Sequence, residues 1–546
     1  MRTHVTAAVV LSLALAALAA PPSAHAQPAG PELNRIVDQG MAHSEVLRIA
    51  AYLTDVIGGR LTNSPQMRVA EAWTIDLFRR WGLRNVRKDG FAFGRGWSYS
   101  AVSARMLTPR VVPLTAIPVA WTPATPGVIS APIVVAPMRR ERDLAGWHGK
   151  LSGKIVLVTL PNDGDEPREP AFRRLTGEDL AKADQFRQPD FRPEAVERML
   201  DRIAFAGRLD AFLREEGALA WVRMAYRDGK LVHGEGYGFS AGATPTVPAI
   251  ELAAEDYRRL ARLAKVGPAP TLELSTVVAY DDTDANAYNI LAELPGTDPG
   301  AGYVMAGAHL DSWVAGDGAA DNGAGTAVVM EAARILAAVG VRPRRTIRFA
   351  LWAGEEQGLL GSQAYADKYL ASRPPLTGPG RPGLPPGIEA RVRWPQRFPI
   401  TAKPGLPQLT AYFNIDNGSG MIRGIHAEGN LAAVPVLRDW LAPFAGLGAT
   451  AVVASPTGGT DHVFLQALGV PAYQFVQDPL DYDARVHHSS VDTFDHLRAD
   501  DLRQAAVVLA GVLAAAADST RTLPRMPTPT SAPPTNPFRY DDPDGP

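Results

Sequence analysis

From Asn289 onward, short and mostly apolar runs alternate with stretches of helical periodicity, and this alternation limits the fold more than any other feature. Tyr303–Ala308, Thr346–Trp352 and Leu409–Ile415 read as strands; Ala324–Val339, Val434–Phe444 and Leu502–Ala517 read as helices. Strands that are apolar on both faces need cover on both. The expected fold class is therefore α/β, with a mostly parallel central sheet covered by helices. Ligands of open sheets gather outside the carboxyl ends of the strands. Here the ends carry His309-Leu310-Asp311, Glu355-Glu356 and Asp416.

The remainder divides by texture. Residues 27–120 carry two helical patterns, one opened by Ser44 with apolar Val46, Ile49, Leu53 and Val56. The other is opened by Ser64-Pro65, with Val69, Trp73, Leu77 and Trp81; Ser as cap and Pro at the first helical position mark its start. Residues 121–275 turn to short β-branched runs and glycine turns, an inserted β-rich domain with a Gly-rich hairpin-like segment reaching Gly242. Residues 276–518 hold the alternating pattern, with a Pro/Gly loop excursion at 371–408, and 519–546 form a Pro-rich tail expected to be disordered. At the start, Arg2 and His4 precede an apolar stretch, Val5–Ala20, then Ala24-His25-Ala26. That order describes a secretory signal peptide, residues 1–26, cut after Ala26. Export to a periplasm or medium is expected, with no stable membrane insertion, since the run is shorter than the roughly 20 residues of a span.

Composition enters through what it excludes. Lys+Arg 55 against Asp+Glu 57, with no block of one sign, gives no basic field for nucleic acid. Cys 0 removes thiol nucleophiles and thiolate ligands, so any metal sits on His, Asp and Glu. Asp321, in Asp321-Asn322-Gly323-Ala324-Gly325, would by itself read as a helix cap; near His309 and Glu356 it reads as a ligand pointing back to the strand ends. Glu355 and Glu356 point to different sides, one free to bind a cation and the other to face a reacting water. With the His487-His488 pair, the set His309, Asp321, Glu356, Asp416 and His488 offers only nitrogen and oxygen donors, which suits two Zn²⁺ ions.

These residues stand in motifs. Ala308-His309-Leu310-Asp311-Ser312, Asp321–Gly325, Trp352–Ser362, Asn414-Ile415-Asp416 and His488–Thr493 together resemble the co-catalytic zinc exopeptidases of metallopeptidase family 28. Asn289–Gly296 is similar to that family's opening strand, and His148–Val158 resembles its protease-associated domain. The resemblance implies the zinc-exopeptidase fold and two zinc ions per chain. Asp321 would bridge them, His309 and Asp416 completing one site, Glu356 and His488 the other. It further implies that Asp311 hydrogen-bonds His309 and fixes its tautomer. Glu355 would take a proton from the metal-bound water and pass it to the leaving amine. His487 would line the pocket, Thr460-Asp461-His462 would lie near the cleft or form a tight turn, and Tyr482 would help stabilise the oxyanion.

The expected activity is removal of terminal residues from peptides, or cleavage of dipeptides, on the pattern of carboxypeptidase Q. An aminopeptidase of the same family is the alternative. Arg423, Arg438 and Arg485 offer cations for a free carboxylate; Asp478, Asp481 and Asp483 offer acids for a free amine. A one-zinc glutaminyl cyclase and a non-catalytic receptor-like homologue are the rivals, and neither needs all six retained groups. Peptides are the expected partners, and a homodimer stays open.

Overall fold

A computed structural model describes residues 30–164, 170–185, 193–236, 245–378, 380–385 and 387–532. The expected signal segment, 1–26, lies outside the described residues. Every residue of the strand Tyr303–His309 is buried, and successive side chains divide between the two faces. Val304, Ala306 and Ala308 join one core, Tyr303 and Met305 another, as a two-residue pleat covered on both sides requires. This strand is central in an eight-stranded sheet. It runs parallel to Thr346–Trp352 on one side and Leu409–Asn414 on the other, and Ala472–Gln477 extends the parallel block. At one edge Asn286–Leu294 runs antiparallel to the block and Arg84–Ala92 pairs antiparallel with Asn286–Leu294; at the other Ile422–His426 is antiparallel, with Ala451–Val453 beyond. The chain is thus of the expected α/β class.

The larger core lies under Ala324–Val339, Ala499–Asp518 and Pro31–Met41. No helix among the described residues is long and apolar enough to cross a membrane; the Ala-rich 505–517 run is instead buried against the sheet. The helix Pro65–Arg80 starts as expected, with Ser64 Oγ accepting the Met67 N–H at 3.1 Å. Of the expected stripe, Leu77 is buried in the core and Trp73 and Trp81 pack against it. Val69 is half-exposed, and Met67, Ala70, Thr74 and Phe78 face the core with Glu71. Glu71 can turn inward because Arg68 and Lys88 pair with it at 3.1 and 2.7 Å. Counting apolar residues alone misses such an inward-facing acid. Val56 likewise points outward, where the helix Val46–Ala51 opens into a wider turn, Tyr52–Ile57.

A second eight-stranded sheet holds the β-rich segment, and it reaches beyond residues 121 and 275. Gly96–Met106 pairs along its length with Thr271–Asp281, from Gly96 opposite Asp281 to Met106 opposite Leu272. Next come the parallel strands Ile129–Val135, Ile155–Leu157, Ala220–Met224 and Ala249–Leu252. Helices Pro193–Glu215 and Ala254–Val266 accompany them. The segment from Ala225 to Gly236 runs as a loop, and residues 237–244 of the expected hairpin are outside the described residues.

In the loop excursion, Ala371–Ser372 pairs with Thr401–Ala402. The tail corrects the expectation of disorder over its first part. Leu523 is buried, the Pro524 carbonyl accepts from Asn430, and Arg525 donates to the carbonyls of Leu406 and Leu409. One apolar anchor and a guanidinium over free carbonyls hold residues that composition alone marks as unstructured. Residues 533–546 are outside the described residues.

Candidate metal centre

The sheet delivers its polar residues to one end. Strands Tyr303–His309 and Thr346–Trp352 are in parallel register, His309 opposite Trp352, so His309 and the turn with Glu355-Glu356 emerge side by side. Asp416 follows the neighbouring parallel strand. Asp321 lies in the irregular turn Ala319–Gly323 that leads into the helix Ala324–Val339. Two main-chain N–H groups fix that turn by donating to Asp492, from Ala320 at 2.6 Å and from Asp321 at 3.1 Å.

Two donor clusters result, and both contain Asp321. The ligand atoms of His309, Asp321 and Asp416 lie within 4.8 Å of one another, as do those of Asp321, His487 and His488. His309 Nε2 is 3.3 Å from both Asp321 Oδ1 and Asp416 Oδ1. His488 Nε2 is 3.2 Å from Asp321 Oδ2 and 2.9 Å from Glu356 Oε2. His487 is farther out, 3.7 Å from Asp321, with its ring stacked on His488. His309 Nε2, Asp321 Oδ2 and Glu356 Oε1 are buried with no hydrogen-bond partner among the described residues. Buried polar atoms are seldom left that way. Converging nitrogen and oxygen atoms without partners suit metal ions such as zinc.

Asp311 does meet His309, through its main chain. The main-chain carbonyl of Asp311, not its carboxylate, lies 2.8 Å from His309 Nδ1; the nearer carboxylate oxygen is 3.9 Å away. The carboxylate accepts instead from the Thr62 hydroxyl and from the N–H groups of Glu355 and Glu356, at 3.0, 3.2 and 3.3 Å. It therefore shapes the turn that aims the two glutamates, while the carbonyl leaves Nε2 of His309 free to coordinate. Glu355 sits toward His309, 3.9 Å from Nε2, and Glu356 toward His488. Burial, reinforced by Asp416, Asp461 and Glu356 and opposed by His309, holds the Glu355 carboxyl well above the usual range. Burial likewise pushes Glu356 up to about 7.

The family model for peptidase family M28 matches residues 289–513, the stretch that carries this site. Over 481 residues the chain is 25% identical to carboxypeptidase Q of Rattus norvegicus, spanning 87% of this chain and 85% of that protein. A peptidase M28 precursor from Shewanella amazonensis, known by crystal structure, aligns at 25% identity with a TM-score of 0.63, covering 91% of this chain and 98% of that one. Residues 289–513 thus form a peptidase family M28 domain, in a chain that resembles carboxypeptidase Q over most of its length. It is a zinc-dependent hydrolase acting on peptide bonds, an exopeptidase whose substrates are peptides. An aminopeptidase from Aneurinibacillus sp. strain AM-1 shares the fold at 19% identity and a TM-score of 0.51, covering 92% of this chain and 98% of that one.

Around this M28 centre the expected pocket residues separate. Tyr482 is buried with its ring tilted over His487, centroids 4.9 Å apart. Burial and the carboxylates of Asp321 and Asp416 push its phenol well up, so it stays a proton donor. Asp461 is buried, and neither carboxylate oxygen accepts a hydrogen bond from the described residues. Burial pushes it up to about 8, with His309 and Ser362 opposing and Asp416 and Asp311 adding to the rise. His462 faces Thr457 and Glu428, at 3.2 and 3.4 Å. The end-group candidates are mostly engaged with one another. Asp478 is held by Arg174 and Arg423, at 3.0 and 3.1 Å, and Asp481 by Arg485 and His496, at 3.0 and 2.7 Å. Arg438 and Asp483 are exposed.

Several contributing residues escaped the sequence reading. Thr62, Asp492 and the buried Arg60 shape the loops, Arg60 donating to the carbonyls of Leu53, Gly58, Leu310, Asp317 and Gly318. Asp492 lay in a quoted motif, so a signal existed for it. Arg227, which donates to the His487 carbonyl at 2.6 Å, lies 260 positions away and had none. A larger cavity of about 560 Å³ opens at the other end of the same strands, lined by Tyr303, Arg348, Lys368 and Lys403. Arg348 is paired there with Glu293 and Lys368 with Asp89, and the lining holds no acid–histidine set.

Proposed function

We infer that the chain is an exported, binuclear zinc exopeptidase that removes residues from the carboxyl end of peptides or splits dipeptides. The observation that carries the binuclear reading is Asp321, common to two donor clusters. His309 and Asp416 would hold one ion with it, Glu356 and His488 the other, the two ions serving as Lewis acids for water and the scissile carbonyl. Glu355 takes a proton from the attacking water and returns it to the leaving amine. Tyr482 donates to the developing oxyanion. Asp311 keeps Glu355 and Glu356 on their separate bearings.

Two observations support attack at the carboxyl end. The relative aligned over most of both chains is a carboxypeptidase, whereas the likeness to the Aneurinibacillus aminopeptidase is one of fold. Arg227 brings a guanidinium to the His487-His488 segment, where a terminal carboxylate would need a cation. We assign export to the segment ending at Ala26, and the second sheet to an inserted domain that shapes the cleft.

The test pairs zinc content of the purified protein with mass spectrometry of a mixed peptide pool after incubation. Two zinc ions per chain with ladders shortened from the carboxyl end are expected. Ladders shortened from the amino end would transfer the reading to an aminopeptidase. One zinc with cyclised N-terminal glutamine would revive the glutaminyl cyclase. A mature protein not beginning at Gln27 would remove the assigned cleavage site.

A further inference from the structure

His488 is gripped from outside its own domain. Its Nδ1 lies 2.9 Å from Oε1 of Glu235, a residue 253 positions earlier in the chain. Glu235 belongs to the loop between the second-sheet strands Ala220–Met224 and Ala249–Leu252. The same oxygen accepts the Tyr226 hydroxyl at 2.9 Å. The Tyr226 ring stacks on His233 with centroids 3.8 Å apart. His233 is anchored in turn, its main-chain N and its Nδ1 lying 2.7 and 2.9 Å from Glu251 Oε1. Arg223, opposite Glu251 in the sheet, holds that carboxylate at 2.6 Å. Contacts on either side of His488 repeat the attachment: Arg227 donates to the His487 carbonyl at 2.6 Å, and Ser490 N–H donates to the Val232 carbonyl at 2.9 Å.

We propose that Glu235 is a positioning residue of the metal centre, so that the second-sheet domain fixes one zinc ligand by holding His488 with Nε2 toward Asp321 and Glu356. This rests on the reading of His488 as a ligand. A proton on Nδ1 donated to a carboxylate leaves the Nε2 lone pair bare and makes it a stronger donor to a cation. The backbone of His488 gives a reason for outside support: its φ of 59° is in the left-handed region, which side chains other than glycine seldom occupy unless their surroundings hold them there.

The test is zinc affinity of the full chain by chelator competition, with thermal unfolding in parallel, for Glu235→Ala, Glu235→Gln, Tyr226→Phe and His488→Ala. Glu235→Ala is expected to weaken one of the two ions by about 10–100-fold and leave the other unchanged. Glu235→Gln should recover part of the loss, because an amide oxygen still accepts from Nδ1 but carries no charge. Tyr226→Phe should cost only a few-fold, since it leaves the carboxylate in place. Unchanged affinity in Glu235→Ala, while His488→Ala loses one ion, would overturn the proposal and leave the ligand reading standing. Two ions retained in His488→Ala would overturn the ligand reading itself. Loss of both ions together with a large fall in unfolding temperature in Glu235→Ala would make Glu235 a structural residue, and the proposal would fall.

Discussion

Adjacent glutamates with opposite assignments give the sharpest test at the scale of single residues. Glu355→Gln keeps the shape of the turn and removes a proton acceptor, not a ligand. Metal content should stay at the wild-type level while turnover falls by about 10²–10⁴-fold, the span of general-base contributions. A variant near wild-type turnover would take Glu355 out of the reaction. Asp321→Asn should do the reverse and lower bound zinc first, because Asp321 belongs to both donor clusters; two ions held with unchanged affinity would end its bridging role. The identities of these groups were legible in the sequence because each sits in a short local motif at a strand end. The manner of action was not always legible. The motif implies a bond from Asp311 to His309 without saying which atom makes it; in space the main-chain carbonyl does, and the carboxylate goes to Thr62 and the glutamate turn.

Elements bring these residues to one place, and the join between strand and helix is closely packed. Gly323 has a φ of −58°, which any residue adopts, so it is not kept there for backbone freedom. What Gly325 supplies is proximity. A Cβ there would meet Asn322 Oδ1 at 2.2 Å and the Ile415 carbonyl at 2.6 Å. Asn322 itself joins Gly325 N–H to the Ile415 carbonyl, at 2.9 Å for each bond. Gly325→Ala should therefore push the helix Ala324–Val339 away from the strand that leads to Asp416, costing about 1–3 kcal/mol in stability. Activity should fall disproportionately, by about 10²-fold if Asp321 moves by 1 Å; a variant with both properties unchanged would show that the contact is not needed. The three central strands Tyr303–His309, Thr346–Trp352 and Leu409–Asn414 were legible because each is a largely apolar run; Arg84–Ala92, with its alternating charges, was not. Gly96–Met106 was not, since its partner Thr271–Asp281 lies far along the chain and only pairing reveals the match.

At the scale of the whole molecule, folding gathers acids that ordinary stability would keep apart, and metal must offset the cost. In the metal-free protein Glu356 titrates at about 7 and Asp461 at about 8, against ordinary values of 4.5 and 3.8. An acid whose folded pKa is raised binds its proton more tightly in the folded state. Its stabilising share is complete below the ordinary value and is lost as pH rises through about 7 to 8. Metal-stripped protein should thus unfold at falling temperature between pH 6 and about pH 8.5, on the order of a few kcal/mol for the groups together. Zinc-loaded protein should gain about 2.7 kcal/mol at 100 times its dissociation constant, and because cations favour the ionised carboxylates its curve should be flatter. The gap between the two unfolding temperatures is expected to widen with pH, and Asp461→Asn should make the metal-free slope shallower. A gap that stays constant across this range would mean that the cluster is not held together against its own charge. The second sheet would then owe its attachment at Glu235 and Arg227 to something other than closing an acidic centre.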